Sequence, residues 1–373
     1  MIDAKAKKFL EDLLMTCGPS GFEFEQAKVY RDYLKPFAHD IRTDVLGNTI
    51  ARLNPDAKFQ FMLSGHYDEI GFQVVSIMPQ GLISFRPVGG IDPLTLPGSG
   101  VEILTKKGHI PGVIGRKPIH LQTQDERKAV PQIEDLWIDI GAVRNQYPGE
   151  RNITGPTHYA DEVASKLVEV GDPISFARNF EMLSKTVVHS KSLDDKIGAF
   201  VIAEAFRQLS KRKIKVGVAC VGTVQEELGL RGAITGAFGV NPNAAIAVDV
   251  GFATDVPGIK PELLGDIKLG AGAELQRNAD NNPPLLNRIL KVAEKKKIPY
   301  QMTTGHRATG GTDTAAIQMT RGGVATALIS IPNRYMHTPA EICDLRDVES
   351  AVALIVETIA SLTGKETFIP GID

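Results

Sequence analysis

The feature that most constrains this chain is a change of texture part-way along it. From Lys196 onward, helical stretches alternate with short runs that are apolar at nearly every position. The spacing predicts helices over Lys196–Ser210, Pro284–Lys296 and Asp347–Thr363, and strands over Ile214–Val224, Ala244–Val250 and Gly323–Ile331. Strands apolar on both faces belong in a sheet covered by helices. The same texture opens the chain. Phe9, Leu10, Leu13 and Leu14 mark a helix over Ala4–Met15, which Cys17-Gly-Pro-Ser-Gly21 breaks. A second helix is expected over Phe22–Phe37, two short strands within Ile41–Leu53 and a buried strand over Phe59–Ser64. Between about Phe72 and Ile174 the chain is instead rich in Val, Ile, Gly and Pro. Its strand-like pieces are Val74–Ile77, Leu82–Arg86, Val101–Thr105, His109–Ile114 and Leu136–Ile140, with a loop at Arg144–Tyr159 and a short helix at Ala160–Val168. Short strands at this spacing suggest a small barrel or sandwich. The expected fold class is therefore α/β: a helix-flanked mixed sheet from residues 1–71 and 175–373, with an inserted all-β, barrel-like domain at 72–174.

Composition narrows what such a fold is for. Lys+Arg number 42 and Asp+Glu 44, a formal net charge of -2. No basic excess is present to neutralise a phosphate backbone, so no nucleic-acid partner is expected. No window approaches the roughly 18 uninterrupted apolar residues of a membrane span, and MIDAKAKKFLEDLLMTC lacks the apolar core of a secretory signal. A cytoplasmic protein without a membrane partner is expected. Cys17, Cys220 and Cys343 are far apart and none has C-x-x-C spacing, so no thiolate zinc site is written.

Open α/β sheets place ligands at the carboxyl ends of their strands. Here those ends carry a recurring chemistry. Phe59–Ser64 leads into Gly65-His66-Tyr67-Asp68, Val216–Val224 into Gln225-Glu226-Glu227, Ala245–Val248 into Asp249, and Leu328–Ile331 into Arg334-Tyr335-Met336-His337. Asp194-Asp195 opens a helix. Each cluster alone has a bland explanation: a helix cap, a turn acid or a loop histidine. Together, two histidines and three carboxylates make a two-metal hydrolytic site. Asp194 is the best bridge between two divalent cations about 3.5–4 Å apart. His66 and Asp249 complete one metal position, Glu227 and His337 the other. Glu226, beside a ligand without being one, is the natural general base. Asp68 is placed to fix the His66 tautomer.

The segments GPSGFE, GHYDEIGF, SLDDKIG, VQEELGLRGA, VDVGFATDVPG, GGTDTAA and IPNRYMHTPAE, in this order from about Gly18 to Glu341, resemble the tetrahedral (TET) aminopeptidases. This is metallopeptidase family forty-two, whose glutamyl, leucyl and deblocking aminopeptidases sit beside relatives labelled endoglucanase or cellulase. The resemblance implies a fold of the di-metal exopeptidase type, with a catalytic α/β domain and an inserted dimerisation domain. It implies a di-zinc or di-cobalt site and twelve-subunit tetrahedral particles that trim peptides from the N-terminus. By motif, His66, Asp194, Glu227, Asp249 and His337 correspond to the metal ligands and Glu226 to the base, with a cis bond between Asp194 and Asp195. Gly310, Gly311, Thr312 and Asp313 correspond to a loop that approaches substrate; without the resemblance, Thr312 or Asp313 reads as a helix N-cap. Tyr67 stands where the family often has Met, and Thr254 where it often has Gly. Pro148–His158 is longer than usual, and His306-Arg307 reads either as solvated loop or as a carboxylate contact.

The expected function is metal-dependent removal of N-terminal residues from short peptides by a cytoplasmic homo-oligomer, with Zn²⁺ or Co²⁺. Two alternatives stand beside it. A glycoside hydrolase would use paired carboxylates, but needs no histidines and favours aromatic platforms, whereas aromatics make up only 6% and the one Trp is Trp137. A catalytically idle oligomeric scaffold would not need every chemical position filled.

Overall fold

The computed structural model describes residues 2–142, 160–306 and 311–371. The loop expected over Arg144–Tyr159, including Pro148–His158, lies outside them, as do Arg307 and Gly310. Ten helices among the described residues are α1 (Ala4–Leu14), α2 (Phe24–Leu34), α3 (Gln124–Lys128), α4 (Ala160–Leu167), α5 (Leu193–Leu209), α6 (Arg231–Val240), α7 (Pro261–Leu264), α8 (Pro283–Lys296), α9 (Asp313–Ile317) and α10 (Leu345–Ala360). The strands of the first segment are β1 (Asp40–Thr43), β2 (Thr49–Leu53) and β3 (Gln60–His66). Then come β4 (Gly71–Ile77), β5 (Ile83–Val88), β6 (Gly100–Thr105), β7 (Gly108–Gly115), β8 (Trp137–Asp139) and β9 (Pro173–Phe176). The last group is β10 (Phe180–Met182), β11 (Val187–Ser190), β12 (Gly217–Thr223), β13 (Ala244–Phe252), β14 (Ala273–Gln276), β15 (Tyr300–Thr303), β16 (Ala325–Arg334) and β17 (Glu341–Asp344).

Two assemblies result. One is an 11-stranded mixed sheet in the order β1-β2-β12-β3-β13-β16-β17-β11-β10, with β14 and β15 branching from β16. Its centre, β12-β3-β13-β16, is parallel. The other is a closed barrel in the order β4-β5-β8-β7-β6-β9, whose antiparallel pairs leave no free edge. The expected fold class is the observed one: a helix-flanked mixed sheet and a small β-barrel.

The two-sided burial of the central strands follows from their alternation. Phe61 and Leu63 of β3, Val218 and Cys220 of β12, and Ile246 and Val248 of β13 face the core under α1, α5, α8 and α10. Met62, Ala219, Val221 and Ala245 face a smaller core under α6 and α9, with Ala233, Ala237 and Ile317. Most side chains of α5 are buried on every side, because α1 and α10 cover the face turned away from the sheet. Caps set the helix starts: Asp3 accepts from the Ala6 N–H, Asn282 from Leu285 and Asp344 from Arg346. Six short strands, β9, β10, β11, β14, β15 and β17, have no counterpart among the predicted elements. Each has only three or four residues and a mixed polar pattern, too little for periodicity to register.

One buried ion cluster joins the pieces. Glu69, just past β3, is fully enclosed; its Oε2 lies 2.5 Å from Lys191 Nζ and 2.7 Å from Lys196 Nζ, and accepts from Ser192 Oγ. Its Oε1 accepts from Ser175 Oγ of the barrel at 2.5 Å and from the Gly18 N–H at 2.9 Å. Both ammonium groups also donate to the Thr16 carbonyl. Burial by itself would raise the Glu69 carboxyl, but the two lysines outweigh it and hold it far below the usual range. Removing the carboxylate strands two buried ammonium groups. Glu69→Leu is therefore expected to destabilise the fold by about 3–5 kcal/mol, read as a lowered guanidinium unfolding midpoint; an unchanged midpoint would contradict this role.

Candidate metal centre

The predicted residues converge at the carboxyl ends of the parallel strands. His66 is the last residue of β3, Glu226 and Glu227 follow β12, Asp249 lies within the end of β13, and His337 follows β16. Asp194 arrives from the first turn of α5, where the backbone is not helical: Asp194 has ψ 108°, and its peptide bond to Asp195 is cis. Each oxygen of Asp194 meets a different histidine. Oδ1 lies 3.2 Å from His66 Nε2 and Oδ2 lies 3.2 Å from His337 Nε2. His66 Nε2 is also 3.8 Å from Asp249 Oδ1 and 3.8 Å from Glu226 Oε2. His337 Nε2 is 3.3 Å from Glu227 Oε1.

The other nitrogen of each ring fixes its tautomer. His337 Nδ1 sits 2.6 Å from the Gly90 carbonyl, which follows barrel strand β5. A carbonyl only accepts, so Nδ1 carries the proton and Nε2 is left with its lone pair when the ring is neutral. His66 Nδ1 faces the Asp68 carbonyl at 3.3 Å and its Oδ1 at 3.4 Å, with the same consequence. Asp68 also accepts from the backbone N–H groups of Glu226 (3.0 Å) and Glu227 (3.2 Å) and from Ser20 Oγ at 2.5 Å. Glu341 does the same on the far side, accepting from Asp194 N at 2.8 Å and His337 N at 2.9 Å. Sequence reasoning missed Glu341 altogether. It also missed that Asp68 clamps the turn bearing Glu226 and Glu227, since neither contact is local in sequence.

Burial and the mutual repulsion of the carboxylates dominate the electrostatics of the cluster. Burial raises Glu226 and Asp249 well above the carboxylate range, and neighbouring acids push the same way. Burial would lower the histidines, but Asp194 and the other acids outweigh it; His337 is pushed up to about 11 and His66 well above its usual value. Asp195 is fully buried and its Oδ2 has no hydrogen-bond partner among the described residues. Its neighbour Gly198 is required: a Cβ there would stand 2.3 Å from Asp195 Oδ1. Among the described residues, His66, Asp194 and Glu227 form one set of donors lying within 4.8 Å of one another, and His66, Asp195 and Asp249 a second. Imidazole nitrogens and carboxylate oxygens at this density suit divalent cations. These residues fit a metal.

The substrate-side expectations divide. Gly311 and Thr312 line the cavity of about 240 Å³ beside the cluster. Asp313 lies beneath: it is buried, starts α9 and accepts from Ser64 Oγ and Thr223 Oγ1, both at 2.7 Å. Thr312 is the N-cap of that helix. Gly310 is outside the described residues. His306 lines the cavity with its ring edge-on to Phe252, centroids 4.7 Å apart.

Facing histidines and strand-end carboxylates gathered above a helix-covered sheet are the arrangement of a metallohydrolase. Comparison with known proteins gives the family. Residues 47–354 match the profile of the M42 glutamyl aminopeptidases. The chain is 33% identical to the lysyl aminopeptidase of Pyrococcus furiosus over 93% of its own length and 94% of the relative's. It superposes on the TET aminopeptidase of a Thaumarchaeota archaeon from marine sediment with TM-score 0.87, 35% identity and 96% of each chain covered. The TET1 peptidase of Pyrococcus horikoshii, which can assemble into a tetrahedron or a large octahedral shell, gives TM-score 0.81 and 32% identity over 96% of this chain and 100% of that one. The chain belongs to the M42 aminopeptidase family, hydrolases whose metallopeptidase chemistry implies divalent metal ions. No helix among the described residues is long and apolar enough to cross a membrane.

Asp68→Ala frees both the His66 ring and the Glu226–Glu227 backbone. It should lower kcat/KM on an aminoacyl-anilide by about 10–100-fold, with the far-UV circular dichroism spectrum unchanged.

Proposed function

We propose that this chain is a cytoplasmic metallo-aminopeptidase that removes N-terminal residues from short peptides, using two divalent cations and Glu226 as general base. The observation that carries the proposal is the placement of Asp194, with one oxygen 3.2 Å from each histidine Nε2. In this reading His66 and Asp249 would hold one cation and Glu227 and His337 the other, with Asp194 shared between the two sets; zinc is the first choice and cobalt the second. When bound, the cations polarise the scissile carbonyl and make water a stronger acid near neutral pH.

The protein's own groups do the rest. Glu226 is buried and flanked by acids that raise its carboxyl, which suits it to take a proton from the attacking water and deliver it to the departing amine. Asp68 and Glu341 hold the backbone of the ligands, so the side chains are aimed before substrate arrives. The cavity is small, about 240 Å³, which suits one residue of a chain end. Gly311 and Thr312 form part of its rim and contact substrate in this reading, with Gly310 in the same loop; Asp313 acts from below, through Ser64 and Thr223.

We further propose that residues 1–71 and 175–373 are the catalytic domain and 72–174 an inserted dimerisation domain. Dimers would assemble into a twelve-subunit particle of the kind that TET peptidases form, and such a shell would admit short peptides and exclude folded proteins. The glycoside hydrolase and scaffold alternatives are not favoured. A sugar-cleaving pair of carboxylates has no use for two tautomer-locked histidines, and Trp137 lies on barrel strand β8, not in the cavity.

Glu226→Gln should cut kcat by about 10²–10⁴-fold while bound metal, counted by elemental analysis, stays at the wild-type level. A variant of unchanged rate would refute the base assignment. Chelation should abolish peptide hydrolysis, and added Zn²⁺ or Co²⁺ should restore it. A metal-binding imidazole must be neutral, so protons compete with metal for His66 and His337. Affinity should therefore fall as pH falls, and calorimetric titrations in buffers of different ionisation enthalpy should report net proton release; no release would contradict the histidine ligands.

A further inference from the structure

We propose that Glu274 selects substrates whose N-terminal residue has a cationic side chain, lysine or arginine. The inference rests on the aminopeptidase reading above and names its substrate class.

Glu274 lies on β14, in register with Ser330 of β16, which is in turn in register with Asp249 of β13. Its carboxylate thus hangs on the same row as a candidate ligand, two strands away, and it lines the cavity that holds His66, Asp194 and Glu226. Only 3% of its surface is exposed. Oε1 accepts from Gln276 Nε2 at 3.0 Å. Oε2 is buried and has no hydrogen-bond partner among the described residues, and the same holds for Ser330 Oγ on the paired strand. Gly251 lies against the carboxylate: a Cβ there would stand 2.2 Å from Oε2, so a larger residue would push Glu274 out of its place.

Among the described residues this buried acid meets no counter-charge. Burial pushes the carboxyl up to about 7, with only the Gln276 amide acting against it. Among the described residues lining the cavity there is no lysine or arginine. A substrate ammonium or guanidinium would supply both the charge and the donors that Oε2 and Ser330 Oγ lack. Phe252, Leu264 and Leu328 on the cavity wall suit the methylene stem of such a side chain. An acidic side chain would instead bring a second negative charge into the same recess.

The test uses the metal-loaded enzyme and the p-nitroanilides of lysine, arginine, leucine and glutamate. Lysine and arginine should exceed leucine in kcat/KM by about 10–100-fold, the range for a hydrogen-bonded charged pair, and glutamate should be slowest. Glu274→Gln, nearly isosteric, should collapse the lysine-to-leucine ratio at least tenfold, and Glu274→Leu should reverse it. Leucine or glutamate as the fastest wild-type substrate would overturn the proposal. So would an unchanged ratio in Glu274→Gln, or an equal loss on all four substrates, which would assign the carboxylate to the α-amino group they share. Absence of turnover on every substrate would count against the aminopeptidase reading instead. Calorimetric binding of free L-lysine against L-leucine would then still decide: preference for lysine that Glu274→Gln removes supports the pocket, and equal binding refutes it.

Discussion

A single enclosed carboxylate, Glu69, sits where four parts of the chain must meet. It follows the strand that delivers His66, and its two ammonium partners flank the turn that delivers Asp194. Ser175 brings in the barrel, while Gly18 and Thr16 bring in the segment after α1. Burying three charges is costly, because each leaves water behind. The cost is bearable only when every lone pair and every ammonium proton has a partner, and here both carboxylate oxygens are multiply bonded. Such a cluster has one good geometry. That is why it can register a helix start, a strand end and a separate barrel against one another.

The same device recurs one step closer to the chemistry. Asp68 and Glu341 are acids that grip backbone N–H groups of the residues that would hold metal. Gly90, from the barrel side, pins the His337 ring. The barrel therefore reaches the candidate centre through a backbone carbonyl as well as through Ser175. Acid is used in two ways within a few ångströms: some carboxylates are satisfied by N–H groups and hold the frame, while others are left crowded and under-compensated. Asp195, with a buried oxygen that no described residue satisfies, belongs to the second kind.

The candidate ligands and the Glu274 recess occupy different parts of the sheet. The candidate ligands come from the parallel centre and from α5, which sit under both helical layers and tolerate little change. The recess bearing Glu274 is built on β14, a four-residue strand that branches from β16 outside the main strand order. A branch strand can exchange a side chain without disturbing the register of β3, β12 and β13, so the cavity wall can vary while the strand ends bearing the candidate ligands stay fixed.

By itself the sequence determined the alternation of helix and buried strand, the all-β interruption, and the five donors with Glu226 at strand and helix ends. These are legible because burial on both faces and 3.6-residue spacing are local patterns, and because a parallel sheet gathers its strand ends at one place. Only the tertiary structure decided what lies between those signals. Glu69 with Lys191 and Lys196, Glu341 with Asp194 and His337, Asp68 with the Glu226–Glu227 turn, and Asp313 below the cavity rather than on its rim are all pairings of distant residues. So is Glu274, carried on a strand too short and too polar to announce itself. An acidic residue looks the same in sequence whether it meets water, a lysine or nothing at all. Its burial and its partners are set by the folded chain, and these decide whether it frames the site or serves it.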